Sequence, residues 1–179
     1  MAKRLDTKNI REWATDLKCG EEILLSGVVY TARDAAHKKI AALIDNGKPL
    51  PFPLKGSVIY YAGPSPAKEG RVCGSFGPTT SGRMDGYPQL FDNGLAAAVG
   101  KGDRNKTIID ALIRNKSIYF IAIGGAGAIA AKHIIDCKEI AFSELGCESV
   151  KRLVFEDFPL IVAIDSDGKD IYTKGTVEV

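Results

Sequence analysis

The segment Gly77-Pro78-Thr79-Thr80-Ser81-Gly82-Arg83-Met84-Asp85 gathers several groups capable of chemistry in one short stretch. Two glycines and a proline predict a tight, exposed backbone. Arg83 is a planar, two-pronged donor suited to a carboxylate. Thr79 and Thr80 carry hydroxyls that can bind a carboxylate or, flanked by cations, pass a proton. The local residues leave a second reading open, a glycine-rich turn bearing a surface arginine.

Other segments offer related chemistry. Thr31-Ala32-Arg33-Asp34 sits where a predicted strand gives way to a helix, so free backbone N–H groups and Arg33 could meet an anion together. Its plainer reading is an N-cap with an Arg–Asp surface pair. Lys101-Gly102-Asp103-Arg104 is a third cationic turn before a helix. Gly125-x-Gly127-x-x-Ala130 superficially matches a dinucleotide fingerprint, but no acidic residue ends a following strand in the expected place. It reads as a close-packing turn whose amides, Gly125 included, could border a substrate. His37 lies one helical turn from Arg33 and reads as an acid/base group or as a helix-surface histidine. His133, near a helix end, reads as structural.

The elements that must position these groups follow from periodicity and turn chemistry. Helices are predicted over Thr7–Lys18, capped by Thr7, over Arg33–Asn46, over Tyr87–Asp92, and over Lys106–Asn115, capped by Asp103. An Ala-rich helix follows the 124–127 turn and ends near His133. Strands are predicted at Glu22–Tyr30, Ser57–Ala62, Val72–Phe76, Leu95–Val99, Ser117–Ile123, Ile140–Phe142, Lys151–Glu156, Leu160–Ile164 and Ile171–Tyr172. The mixture, without an internal repeat, predicts one α/β domain over residues 1–179 with a mixed sheet.

Composition narrows the classes. The net charge is +2 with Lys and Arg scattered, so no phosphate-tracking stripe is predicted and nucleic acid is not the expected partner. The N-terminus turns polar at once, and no run approaches the length of a membrane span, so a cytoplasmic protein is expected. Cys19, Cys73, Cys137 and Cys147 form no C-x-x-C pair. They are expected to be reduced, mostly buried thiols, with no metal site made by this chain alone.

Taken in order, Ser26-Gly27-Val28-Val29-Tyr30-Thr31-Ala32-Arg33-Asp34-Ala35-Ala36-His37, Tyr61-Ala62-Gly63-Pro64, the 77–85 segment, Gly100-Lys101-Gly102, Ser143-Glu144-Leu145-Gly146 and Val154-Phe155-Glu156-Asp157-Phe158-Pro159 resemble the β subunit, or C-terminal domain, of class I iron–sulfur fumarate hydratases and L-tartrate dehydratases. The resemblance spans nearly the whole chain. It implies a swivelling β/β/α domain and a hydro-lyase half that works with an α subunit, whose cysteines hold a [4Fe–4S] cluster, in an α2β2 assembly. Carried over by position, it implies that Arg33, Thr80, Arg83 and Lys101 bind the dicarboxylate and that Thr79 transfers the proton at C3. His37, Asp85 and Gly125 are further candidates. The alternatives are tartrate as substrate and a non-catalytic dicarboxylate-binding domain.

Overall fold

The computed structural model of the chain describes residues 2–122 and 126–175. Seven strands form one sheet: β1 (Lys3–Asp6), β2 (Glu22–Thr31), β3 (Val58–Tyr60), β4 (Ala97–Gly100), β5 (Ile118–Ala122), β6 (Ile134–Ala141) and β7 (Val150–Ile164). Their order is β1-β2-β3-β4-β5-β7-β6, and β2 also pairs with β7, which closes β2, β3, β4, β5 and β7 into a barrel-like ring. The pairings from β1 through β5 are parallel. β7 runs antiparallel to β2, β5 and β6. This is the mixed α/β class and mixed sheet expected from the sequence.

Among the described residues five helices decorate the ring: α1 (Ile10–Trp13), α2 (Asp34–Asp45), α3 (Gln89–Asp92), α4 (Lys106–Asn115) and α5 (Ala126–His133). Strands β3 to β5 read as continuous apolar runs because both their faces are covered. Val58, Tyr60, Val99 and Phe120 share one core with Leu25, Val29 and Phe155. The alternating residues Ile59, Tyr61, Ala98 and Tyr119 share a second core with Ala36 and Ile40 of α2 and Ile108 and Leu112 of α4. Among the described residues no helix is long and apolar enough to cross a membrane.

Several predicted elements differ. The N-terminal helix shortens to a 3-10 turn, Thr7–Asn9, followed by α1, and Asp6 caps it by accepting from the Lys8 N–H. Thr7 is instead buried against β2, where a Cβ on Gly27 would collide with its Oγ1. Asn105 caps α4, not Asp103, accepting from the Ile108 N–H at 3.0 Å. Val72–Phe76 is not a strand, because Ser65 and Gly127 take its backbone groups: the Ser75 N–H donates to Ser65 Oγ and the Phe76 N–H to the Gly127 carbonyl. Ile171–Gly175 is a 3-10 turn, with Asp170 accepting from the Tyr172 N–H.

The C-terminal strands are longer than predicted. β6 starts at Ile134, hidden in the sequence by the charges of an edge strand. β7 runs unbroken through Pro159. Between Leu25↔Phe158 and Gly27↔Phe155, β2 advances two residues and β7 three. That bulge places Asp157 at φ 51 and lets its N–H donate to Ser26 Oγ at 2.9 Å.

Candidate functional site

β2, β3 and β4 are neighbouring parallel strands, so their carboxyl ends leave the sheet on one edge. Thr31 ends β2 and Arg33 follows. Tyr61 follows β3. Gly100 ends β4 and Lys101 follows. The loop 77–85 lies across these exits. The Thr79 N–H donates to the Tyr61 carbonyl at 2.6 Å, Pro78 bridges Ala62, and Thr80 bridges Lys101. Thr79 is half-buried, while Thr80 and Lys101 are exposed.

Hydrogen bonds, not glycine conformations, shape this loop. Gly77 and Gly82 have no positive φ, and a Cβ at either would point into open space. Ser81 is central. Its N–H donates to the Lys101 carbonyl at 2.9 Å, and its Oγ accepts from the Lys101 N–H at 3.1 Å. The Tyr119 hydroxyl lies 2.8 Å from both Ser81 Oγ and the Gly102 carbonyl. A carbonyl only accepts, so the Tyr119 proton goes to Gly102 and Ser81 donates to the Tyr119 oxygen. Burial pushes the Tyr119 phenol upward, which keeps that proton in place. Gly100 has no room for a side chain here, since a Cβ would collide with Ser81 Oγ and lie 3.0 Å from Tyr61.

The far end of the loop is held by a buried ion pair. Asp85 Oδ1 accepts from Arg104 Nε at 2.6 Å, and Oδ2 accepts from the Asn105 N–H at 2.6 Å. The Arg104 side chain is 0% exposed. Its guanidinium lies over the rings of Tyr61 and Tyr119, at 5.2 Å and 4.9 Å. Asp85, a candidate from its place in the loop, is therefore a partner of Arg104. Arg104 itself was read only as part of a cationic turn, and no local signal marks it as buried. Tyr119 did carry a signal: a hydroxyl inside the apolar run SIYFIAI needs a buried partner.

Arg33 and Arg83 meet at Asp34. Arg83 Nε lies 2.7 Å from Asp34 Oδ1, and Arg33 Nη2 lies 3.9 Å from Oδ2. On its other side Arg33 Nε is 3.5 Å from Glu148 Oε1. Thr31 brings Glu148 there: its Oγ1 donates to the Ser149 carbonyl and accepts from the Lys151 N–H, joining the end of β2 to the start of β7. Gly63 lets these segments close up, because a Cβ would lie 2.5 Å from the Cys147 carbonyl and 3.4 Å from Arg33 Cδ. The loop thus carries Thr80 beside Lys101 and, three residues on, Arg83 beside Asp34 and Arg33. Glu148 was not foreseen, being far from Arg33 in sequence.

His37 is neither exposed nor placed for proton transfer. It is 1% exposed, packs edge-on against Tyr61 at 5.1 Å, and lies 5.7 Å from Tyr87. Its Nδ1 faces the Arg33 carbonyl at 3.1 Å, and burial pushes its pKa down to about 4, so the ring is neutral at pH 7. Gly125 lies outside the described residues. Gly127 does reach the loop, since a Cβ there would collide with Ser75 Oγ and crowd Gly77. His133 is tied to the Glu156 carbonyl, 2.8 Å from its Nδ1.

Cys73 is buried, Cys19 and Cys137 are half-buried and Cys147 is exposed, contrary to the expectation of mostly buried thiols. Burial pushes the Cys73 thiol up to about 11. Among the described residues no group of three or more His, Cys, Asp or Glu could hold a metal ion. A cavity of about 410 Å³ lined by Cys73, Cys137, Cys147 and Lys151 contains none of the predicted site residues. The cationic site is instead an open edge of the molecule.

Parallel strands thus deliver Arg33 and Lys101 to one edge, and the loop across that edge adds Thr79, Thr80 and Arg83, a set of donors with the chemistry to meet an anion. Comparison with known proteins places the chain in a family. The family described as Fumarase C-terminus matches residues 2–175, and the chain belongs to it. Fumarate hydratase 2 of Leishmania major is 44% identical over 92% of this chain and 30% of its own length. The anaerobic class I fumarate hydratase of Escherichia coli K12 is 40% identical over 83% of this chain and 28% of its own length. The chain therefore spans about three-tenths of these two relatives. A protein of Methanocaldococcus jannaschii named putative L(+)-tartrate dehydratase subunit beta is 39% identical over 94% of this chain and 88% of its own length.

Proposed function

We propose that this chain is the β half of a two-part hydro-lyase that reversibly hydrates fumarate to (S)-malate. The observation that carries this reading is the convergence on one open edge of Arg33 and Arg83 with Thr79, Thr80 and Lys101. The similarity to fumarate hydratases, of which the chain matches only a part, supports a catalytic half over a stand-alone binding domain.

In this reading Arg33, Arg83, Lys101 and the Thr80 hydroxyl bind the two carboxylates. Thr79 delivers a proton to C3 of fumarate while hydroxide adds at C2. In the reverse direction Thr79 Oγ1 takes the C3 proton, and the electron pair left behind spreads into the adjacent carboxylate as the C2 hydroxyl departs with a proton. A free threonine is a very weak base, so its alkoxide needs the surrounding cations. The same cations hold the charge that develops on the carboxylate. The family resemblance implies that a [4Fe–4S] cluster, which would supply a Lewis acid for the departing hydroxyl, is held by a cysteine-bearing α subunit. That subunit would also supply the acid that protonates the hydroxyl, in a cytoplasmic α2β2 assembly in which this domain swivels against its partner.

Co-expression with a cluster-bearing α chain under anaerobic conditions tests the proposal. Hydration of fumarate is expected, and Thr79→Ala should abolish turnover while assembly persists. No turnover of any diacid by the pair rejects the enzyme reading. Tartrate dehydration is the second reading, favoured by the near full-length match to the tartrate dehydratase β chain. Relative turnover of fumarate and tartrate decides between them.

A further inference from the structure

The arginines of this site share one feature. Arg33, Arg83 and Arg104 each have a carboxylate from another position facing Nε: Glu148 at 3.5 Å, Asp34 at 2.7 Å and Asp85 at 2.6 Å. For Arg104, fully buried, the pairing is structural. Arg33 and Arg83 have partly exposed side chains, 24% and 57%, so their pairs need another explanation. Exposed ion pairs contribute little to stability.

We infer that Asp34 is a positioning residue: its Oδ1, 2.7 Å from Arg83 Nε, holds that guanidinium and leaves its terminal nitrogens as a ready fork for a substrate carboxylate. The inference rests on the reading of Arg33 and Arg83 as dicarboxylate ligands. A guanidinium held at Nε cannot spin about its long side chain, and its outer edge still matches a carboxylate in two-pronged fashion. Asp34 serves both arginines, since its second oxygen lies 3.9 Å from Arg33 Nη2. That contact is too long for a hydrogen bond, and Asp34 Oδ2 and Arg33 Nε are both buried without a hydrogen-bond partner. Asp34 Oδ2 and Arg33 Nε therefore keep hydrogen-bonding capacity that the cluster itself does not use.

Two roles for Asp34 predict opposite signs. Arg33, Arg83 and Lys101 carry three positive charges, and Asp34 and Glu148 remove two of them. If Asp34 were only a counter-ion competing with substrate, deleting it would tighten dianion binding. If it positions the fork, deleting it loosens that binding. The 2.7 Å contact at Arg83 Nε favours the second role, because it engages the edge nitrogen and leaves the terminal fork open.

The test is a double-mutant cycle on the chain assembled with its α subunit, read as fumarate KM and kcat. Asp34→Ala is expected to raise KM roughly tenfold, the scale of ordering one arginine side chain, with a much smaller change in kcat. In an Arg83→Ala background Asp34→Ala should raise KM only through Arg33, by clearly less than in the parent. Asp34→Glu should recover part of the loss. A lowered KM in Asp34→Ala, or an equal effect with and without Arg83, overturns the positioning role while Arg83→Ala still raises KM. An unchanged KM in Arg83→Ala rejects Arg83 as a substrate ligand and removes both conclusions.

Discussion

Replacing Asp85 with Asn should unfold this protein far more easily than its single-atom change suggests. Asp85 is 8% exposed and accepts from two donors, Arg104 Nε and the Asn105 N–H, one on each oxygen. An asparagine presents one oxygen and one NH2, so one of these donors would face another donor. The Arg104 guanidinium would also remain buried without a counter-charge, with Nη2 already lacking a partner. Breaking a buried pair on one side costs about 3–5 kcal/mol. For a chain of this size each kcal/mol moves Tm by about 2–4 °C, so Tm should fall by roughly 6–20 °C. Replacing both residues with apolar ones, Asp85→Leu with Arg104→Met, removes the stranded charge and should cost less than Asp85→Asn alone. Urea unfolding of the purified chain, with m held constant, reads the differences. A loss below about 1 kcal/mol for Asp85→Asn, or a double variant weaker than the single one, refutes the argument that the pair is held by mutual need.

Other consequences can be checked on the same material. His37 has a folded pKa of about 4 against an ordinary 6.5, so its contribution is complete above pH 6.5 and is lost as pH falls toward 4. The loss amounts to about 3 kcal/mol, and His37→Gln should flatten the pH dependence of Tm in that window. Tyr119→Phe leaves the Gly102 carbonyl without its side-chain donor and should lower stability by about 1–2 kcal/mol in urea titrations. Gly100→Ala forces a Cβ into Ser81 and Tyr61 and should cost about 1–3 kcal/mol by thermal denaturation and, on the proposed reading, raise the KM for the diacid. Gly82→Ala meets open space at an ordinary φ and should stabilise the isolated chain by about 0.4–1 kcal/mol. A fall in turnover of the assembled enzyme in the same variant would mark that space as used by substrate or partner.

The sequence revealed those parts of the fold that rest on local periodicity. α4 has its predicted bounds, and β2 and α2 shift by one residue at their ends, because their apolar residues recur with the period of one element. β7 covers the two strands predicted at Lys151–Glu156 and Leu160–Ile164 and runs through the segment Asp157-Phe158-Pro159 between them. The bulge that carries the chain through it depends on Ser26, which lies more than a hundred residues away. The same distinction governs the site. Thr79, Thr80, Arg83, Arg33 and Lys101 are legible as chemistry from residue type, and the structure brings them to one edge. Their supporting partners are not legible: Glu148 reaches Arg33 only through β7, and Arg104 reaches Asp85 only when the turn after β4 folds under the loop. Ser81, given no role from the sequence, joins the loop to Lys101 through its N–H and its Oγ.

The exit of each cationic segment from a neighbouring parallel strand acts as a ruler. Hydrogen-bonded strands lie about 4.8 Å apart, so the ends of β2 and β4, after which Arg33 and Lys101 follow, stand two strand spacings apart around the ring. Side-chain substitutions inside the barrel cannot change that spacing, because main-chain hydrogen bonds set it. On the proposed reading, the length of diacid this edge accepts is a property of the backbone.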